Sequence, residues 1–85
     1  MSERTQKTRD LVVLGRAIGE LRDQGGLSAS ALAAAVGVEE RRIRALEAGQ
    51  LDPDYELLIA LAEALGVRPA ELVIRAEQLA AEGPA

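Results

Sequence analysis

Apolar positions recur along this chain at intervals of three and four, the spacing of one helix face, and nowhere alternate as a strand would. Glycine and proline divide it into segments rich in helix formers. Leu14, Ile18 and Leu21 predict a first helix over about 11–24, capped by Asp10 and ended by Gly25-Gly26. A second is expected over 29–36 behind Ser28, with Leu32, Ala33 and Val36 inward and Gly37 as its stop. A third should cover about 40–48, burying Ile43 and Leu46 and halting at Gly49. Asp52-Pro53-Asp54 opens a fourth, with Pro53 placed in its first turn and Leu57 or Leu58, Leu61 and Leu65 as its buried stripe. Gly66 ends that helix. Pro69 begins the fifth, which reaches about Glu82 with Leu72, Ala76 and Leu79 along one face. The expectation is an all-α fold, a compact five-helix bundle over residues 11–82. Residues 1–10 are expected to form a flexible N-terminal arm and residues 83–85 a tail.

Composition narrows the function. The 85 residues include no His and no Cys, which removes zinc and iron–sulfur sites, disulfides and His- or Cys-based catalysis. With one Tyr, no Phe and no Trp, the core must be aliphatic. A chain of this length suits one domain, without a separate catalytic or sensor unit, so no enzyme activity, cofactor or small-molecule effector is expected. No apolar run is long enough to span a membrane. The first ten residues are polar and Arg16 breaks the apolar stretch after them, so a secretory signal is not expected and a cytoplasmic location is.

The net charge of −4 argues at first sight against nucleic acid. Charge acts locally, however. Residues 49–85 set Arg68 and Arg75 against seven carboxylates, a net of −5. Residues 1–10 carry Arg4, Lys7 and Arg9 against Glu3 and Asp10, a net of +1. Residues 39–48 are neutral, with Arg41, Arg42 and Arg44 facing Glu39, Glu40 and Glu47. The acidity belongs to the C-terminal half, and the N-terminal half remains able to meet phosphate.

The most informative stretch runs from Leu27 to Leu46. Two helices about three residues apart are expected to cross steeply here, as in a helix-turn-helix. That geometry asks for a small residue at the crossing (Ala33), one tolerant of positive φ at the turn (Gly37) and inward apolar groups at Leu32, Val36, Val38, Ile43 and Leu46. All seven positions comply.

Over about 11–75 the sequence resembles the lambda-repressor and Cro, or XRE, helix-turn-helix family. The resemblance is carried by Leu14 through Arg22, Gly26-Leu27-Ser28, Leu32-Ala33, Val36-Gly37-Val38, Ile43 through Gly49, Pro53, Leu57-Leu58, Leu61-Ala62, Ala64 through Val67 and Pro69 through Leu72. It implies a lambda-repressor-like DNA-binding domain, with the helix-turn-helix at about 28–48. The third helix would lie in the major groove of double-stranded DNA while the second crosses the backbone. Glu40, Arg41 and Arg44 then become the base-reading candidates, with Arg42 near a phosphate. Ser28 and Ser30, with the amides opening the second helix, are phosphate candidates. Gln50, just beyond the third helix, completes the set with Arg22.

Arg22 occupies one side of an ion pair that, in this family, ties the first helix to the third, its partner here being Glu47; it is also able to face phosphate. If that pair is buried, Arg22→Ala should cost roughly 3–5 kcal/mol. The resemblance also implies a homodimer, its C-terminal face a candidate interface, with two recognition helices about 34 Å apart.

Four residues at three places depart from the pattern. Ala29 stands where the family usually carries a phosphate-contacting Gln, Glu39-Glu40 where it carries Ser, Thr or Gln, and Ala48 where Asn or a basic residue is common. Two readings therefore compete: a DNA-binding regulator, and a protein-interaction module, antitoxin-like or adaptor, on the same fold. Arginines of the third helix projecting unpaired with Arg16 or Arg22 nearby would favour the first. A surface dominated by Glu39 and Glu40 would favour the second. Glu40 and Arg44, four apart in the favourable order, are also spaced to pair with each other.

Overall fold

The computed structural model describes residues 3–83, with side-chain surroundings from residue 6 onward. Five helices follow in order: α1 (Glu3–Gln24), α2 (Ala29–Val36), α3 (Glu40–Glu47), α4 (Tyr55–Leu65) and α5 (Pro69–Ala81). No strand occurs among the described residues.

α1 begins eight residues before the expected Leu11, so residues 3–10 are helix rather than a flexible arm. The apolar periodicity starts only at Leu11, but the polar residues before it are mostly good helix formers. Local bonds support them: Gln6 Nε2 donates to Asp10 Oδ1 at 3.0 Å, which uses Asp10 inside the helix instead of as its cap. Lys7 Nζ also lies 3.4 Å from Asp52 Oδ2 in the loop before α4. At 22 residues α1 is about 33 Å long. That length accounts for most of the 37 Å long axis of the molecule. Of the expected tail, Gly83 is described and residues 84–85 lie outside the described residues.

The other boundaries follow their caps. Ser28 Oγ accepts from Ala31 N at 2.9 Å and starts α2. Asp54 Oδ1 accepts from Leu57 N at 2.8 Å and starts α4 at Tyr55, which leaves Pro53 just ahead of the cap and outside the first turn. α5 opens on Pro69, and Glu71 reaches back to accept from Arg68 N at 3.0 Å.

Each helix contributes to one aliphatic core: Ile18 from α1, Leu32 and Ala33 from α2, Ile43 and Leu46 from α3, Leu57 and Leu61 from α4, Leu72 from α5. A smaller cluster of Ala17, Ala76 and Leu79 seals α5 against α1. Leu72, Ala76 and Leu79 are therefore buried in the chain's own core. Glu20 adds a polar clasp between the same two helices, accepting from Arg75 Nη2 at 2.7 Å and lying 3.5 Å from Arg16.

The seat of α3 depends on backbone proximity to α1. A Cβ on Gly15 would stand 2.3 Å from the carbonyl oxygen of Leu46, and one on Gly49 would stand 2.8 Å from Val12 Cα. Neither position has room for a side chain. The C-terminal end of α3 is thus pressed onto α1, and with Ile43 and Leu46 buried this fixes the direction of its outer face.

Candidate nucleic-acid interface

The turn between α2 and α3 consists of Gly37, Val38 and Glu39. Gly37 has φ +76°, a left-handed conformation that costs a residue with a Cβ about 1–2 kcal/mol. It lets Val38 N donate to Ala33 O at 3.0 Å, closing α2 before the chain turns away. Leu32, Ala33, Ile43 and Leu46 are buried, while Val36 and Val38 pack partly buried against the same core. With its apolar face held this way, α3 turns Arg41, Arg42 and Arg44 to solvent.

These arginines differ in their partners. Arg44 Nε donates to Glu40 Oε2 at 2.8 Å, the expected pair one turn apart. Arg41 Nε lies 2.8 Å from Glu39 Oε2, in a pair 85% exposed on the arginine and 70% on the glutamate. Two residues apart within a helix would not face each other. Glu39, however, is the N-cap, extended at φ −75° and ψ 148°, and its carboxylate makes no cap bond. It is free to swing over Arg41. Arg42 carries no ion pair among the described residues. Arg41 and Arg42 line a shallow open groove with Val38, Glu39, Ala45 and Leu51.

Arg22 is held differently. Its Nε and Nη2 donate to Glu47 Oε2 and Oε1 at 2.6 and 2.9 Å, and its Nη1 donates to the carbonyl of Leu27 at 2.8 Å. Both side chains of the pair are 20% exposed. The hydrogen bonds to Glu47 hold the guanidinium above its already high ordinary pKa, against the smaller opposing effect of burial. Arg22 thus ties the end of α1 to α3 and to the loop that enters α2, and its guanidinium is engaged in doing so.

Ser28 and Ser30 are exposed at the start of α2, and Ser28 Oγ already accepts the capping bond. Gln50 is exposed just past Gly49, its backbone N–H donating to Ala45 O at 2.9 Å as α3 ends. The structure thus joins Arg41 and Arg42 in one groove, pairs Arg44 with Glu40, and sets Arg22 apart as a brace. Of the N-terminal cations, Lys7 pairs with Asp52, and the side chain of Arg4 lies outside the described residues. The Glu39–Arg41 pair and the Lys7–Asp52 pair had no sequence signal beyond the presence of opposite charges. Among the described residues no helix is long and apolar enough to cross a membrane.

A family model described as helix-turn-helix matches residues 18–72. Solved structures of regulators share the fold over most of the chain. Two structures of the clp gene regulator ClgR from Corynebacterium glutamicum are each 31% identical to this chain. They cover 84% and 87% of it, over 88% and 77% of their own chains, with TM-scores of 0.78 and 0.81. The restriction-modification controller protein C.AhdI from Aeromonas hydrophila is 36% identical. It covers 74% of this chain and 96% of its own, with a TM-score of 0.72. No curated protein matches the sequence.

Proposed function

The chain belongs to the XRE-type helix-turn-helix family of DNA-binding transcription regulators, and from that premise we propose that it reads double-stranded DNA by laying α3 in the major groove as a homodimer. The observation that carries this reading is the outer face of α3. Three arginines project from a helix whose inner face is locked by Ile43, Leu46 and the close approach to α1. Of these only Arg42 stands unpaired among the described residues, Arg41 and Arg44 each being held by a carboxylate, as Arg22 is by Glu47. A rigid, outward, arginine-bearing helix just after a sharp turn is what major-groove docking requires.

In this reading Arg41 and Arg44 address base edges, where a guanine offers O6 and N7 to a guanidinium. Glu40 accepts from a base amino group. Arg42, without a carboxylate partner, binds a phosphate. Ser28 and Ser30 donate their hydroxyl protons to the DNA backbone at the start of α2. Gln50 reaches the backbone from the far end of α3. Arg22 contributes by holding α3 at its angle. The protein acts in the cytoplasm, and its control comes from its own concentration or a partner protein and not from a small-molecule effector.

Fluorescence anisotropy of a labelled duplex, titrated with protein over a salt series, tests the reading. The expected result is micromolar binding to generic duplex, weakening with a log–log slope near −0.9 per phosphate neutralised. Arg42→Ala should flatten that slope by about 0.9, equally for every duplex sequence. Absence of binding at low salt would reject the DNA reading and leave the protein-interaction module, with Glu39 and Glu40 as the groups that close the surface to phosphate.

A further inference from the structure

Two carboxylates stand where the DNA reading calls for attraction. Glu39 and Glu40 flank the start of α3 and pair with Arg41 and Arg44 on an open surface. Stability accounts for only a little of their presence: the helix dipole favours a carboxylate in a first turn modestly, exposed pairs contribute little, and Glu39 makes no capping bond. Their effect is electrostatic: they cancel two of the three arginine charges on the presented face.

A generic stretch of duplex offers these groups an unequal exchange. Its phosphates attract Arg41 and Arg44, but only if each breaks its ion pair and leaves a carboxylate facing the polyanion. A base edge offers more. The major-groove edge of cytosine carries an amino donor that a carboxylate can accept, while its guanine partner presents two acceptors to an arginine. Glu40 and Arg44 are one turn apart, a rise of about 6 Å. This is roughly the height of two base-pair steps. A closely spaced cytosine and guanine can therefore engage both members of the pair at once.

We propose that Glu39 and Glu40 are specificity determinants that suppress binding to non-cognate duplex and release Arg41 and Arg44 only where base edges satisfy both charges, Glu40 selecting a cytosine. The inference rests on the DNA-binding reading above and makes a separable claim. It predicts a protein that binds random DNA weakly and discriminates steeply.

The experiment compares the wild type with Glu39→Gln, Glu40→Gln and the double variant, which keep side-chain size and remove charge. Each is titrated over a salt series against a random-sequence duplex and against the duplex that the wild type selects from a random library. Thermal melts verify that the variants fold. If one released arginine gains one phosphate, affinity for random duplex rises about eightfold at 0.1 M salt, and the slope steepens by about 0.9. The double variant should therefore bind random duplex tens of times more tightly. Its preference for the selected duplex should fall at least tenfold, and selection with Glu40→Gln should lose a cytosine that the wild type requires. Variants that bind random duplex no better than the wild type, or that tighten on both duplexes equally, would overturn the proposal while leaving DNA binding intact. A wild type and variants that all fail to bind any duplex at low salt would overturn both.

Discussion

Arg22 shows how one side chain sets the angle of a helix it does not belong to. Its guanidinium bridges Glu47 at the end of α3 and the Leu27 carbonyl before α2, so its removal frees two junctions together. The pair is one-fifth exposed, short of full burial, so the cost falls below that of a fully buried pair. Arg22→Ala should lower the unfolding free energy by about 2–3 kcal/mol in urea denaturation; a loss under about 0.5 kcal/mol would show an ordinary surface contact. Because the folded-state pKa is raised, this contribution is complete below the ordinary arginine value and is lost only above the raised one. Melts between about pH 6 and 9 should show no step from this group. The glycines offer a contrast. At Gly15 an added Cβ meets backbone, whereas at Gly37 it meets nothing within 4 Å and suffers only its positive φ. Gly15→Ala should cost about 3 kcal/mol and Gly37→Ala about 1–2 kcal/mol, and the reverse order in a melting comparison would mean that α1 and α3 are not in backbone contact.

At the scale of elements, caps decide where helices begin. Ser28 and Asp54 each accept a backbone N–H from three residues ahead, and replacing either by Ala should cost about 1 kcal/mol in chemical denaturation. Ser28→Ala should also weaken DNA binding modestly if its hydroxyl reaches a phosphate, whereas Asp54→Ala should affect stability alone. Most elements were legible because apolar period and cap agree: α2 needed only Ser28, Leu32, Ala33 and Gly37. The first two turns of α1 were not legible. Nothing apolar repeats there, and their support comes from Gln6 with Asp10 and from Lys7 with an aspartate 45 positions away. Pro53 misled for a related reason, since proline suits a first turn but Asp54 is the stronger cap. The candidate site divides the same way. The arginines and the Glu40–Arg44 pair follow from helical spacing, while Glu39 with Arg41 required the extended backbone of an N-cap, which spacing rules do not describe.

The whole molecule has two unlike halves, and the C-terminal one bears on assembly. Residues 49–85 hold the excess negative charge. Meeting DNA through that half would set it against phosphate, so in the proposed complex α5 is placed away from the duplex. Its Leu72, Ala76 and Leu79 are occupied by the core, but Val73 and Ile74 stand 45% and 51% exposed. Two adjacent aliphatic groups exposed on α5 make this side the proposed contact for a second copy. If the protein binds DNA as a dimer through this side of α5, Ile74→Glu adds a charge to a patch that must be desolvated and removes nothing from the core. Sedimentation equilibrium should then show the wild type dimeric at high micromolar concentration and the variant monomeric, with thermal melts of the variant confirming that the protomer remains folded. Binding to a duplex carrying two half-sites one helical turn apart should weaken at least tenfold, while binding to a single half-site stays unchanged. A wild type that sediments as a monomer yet binds single and paired half-sites equally would show that one protomer is the reading unit, and that Val73 and Ile74 serve some other contact.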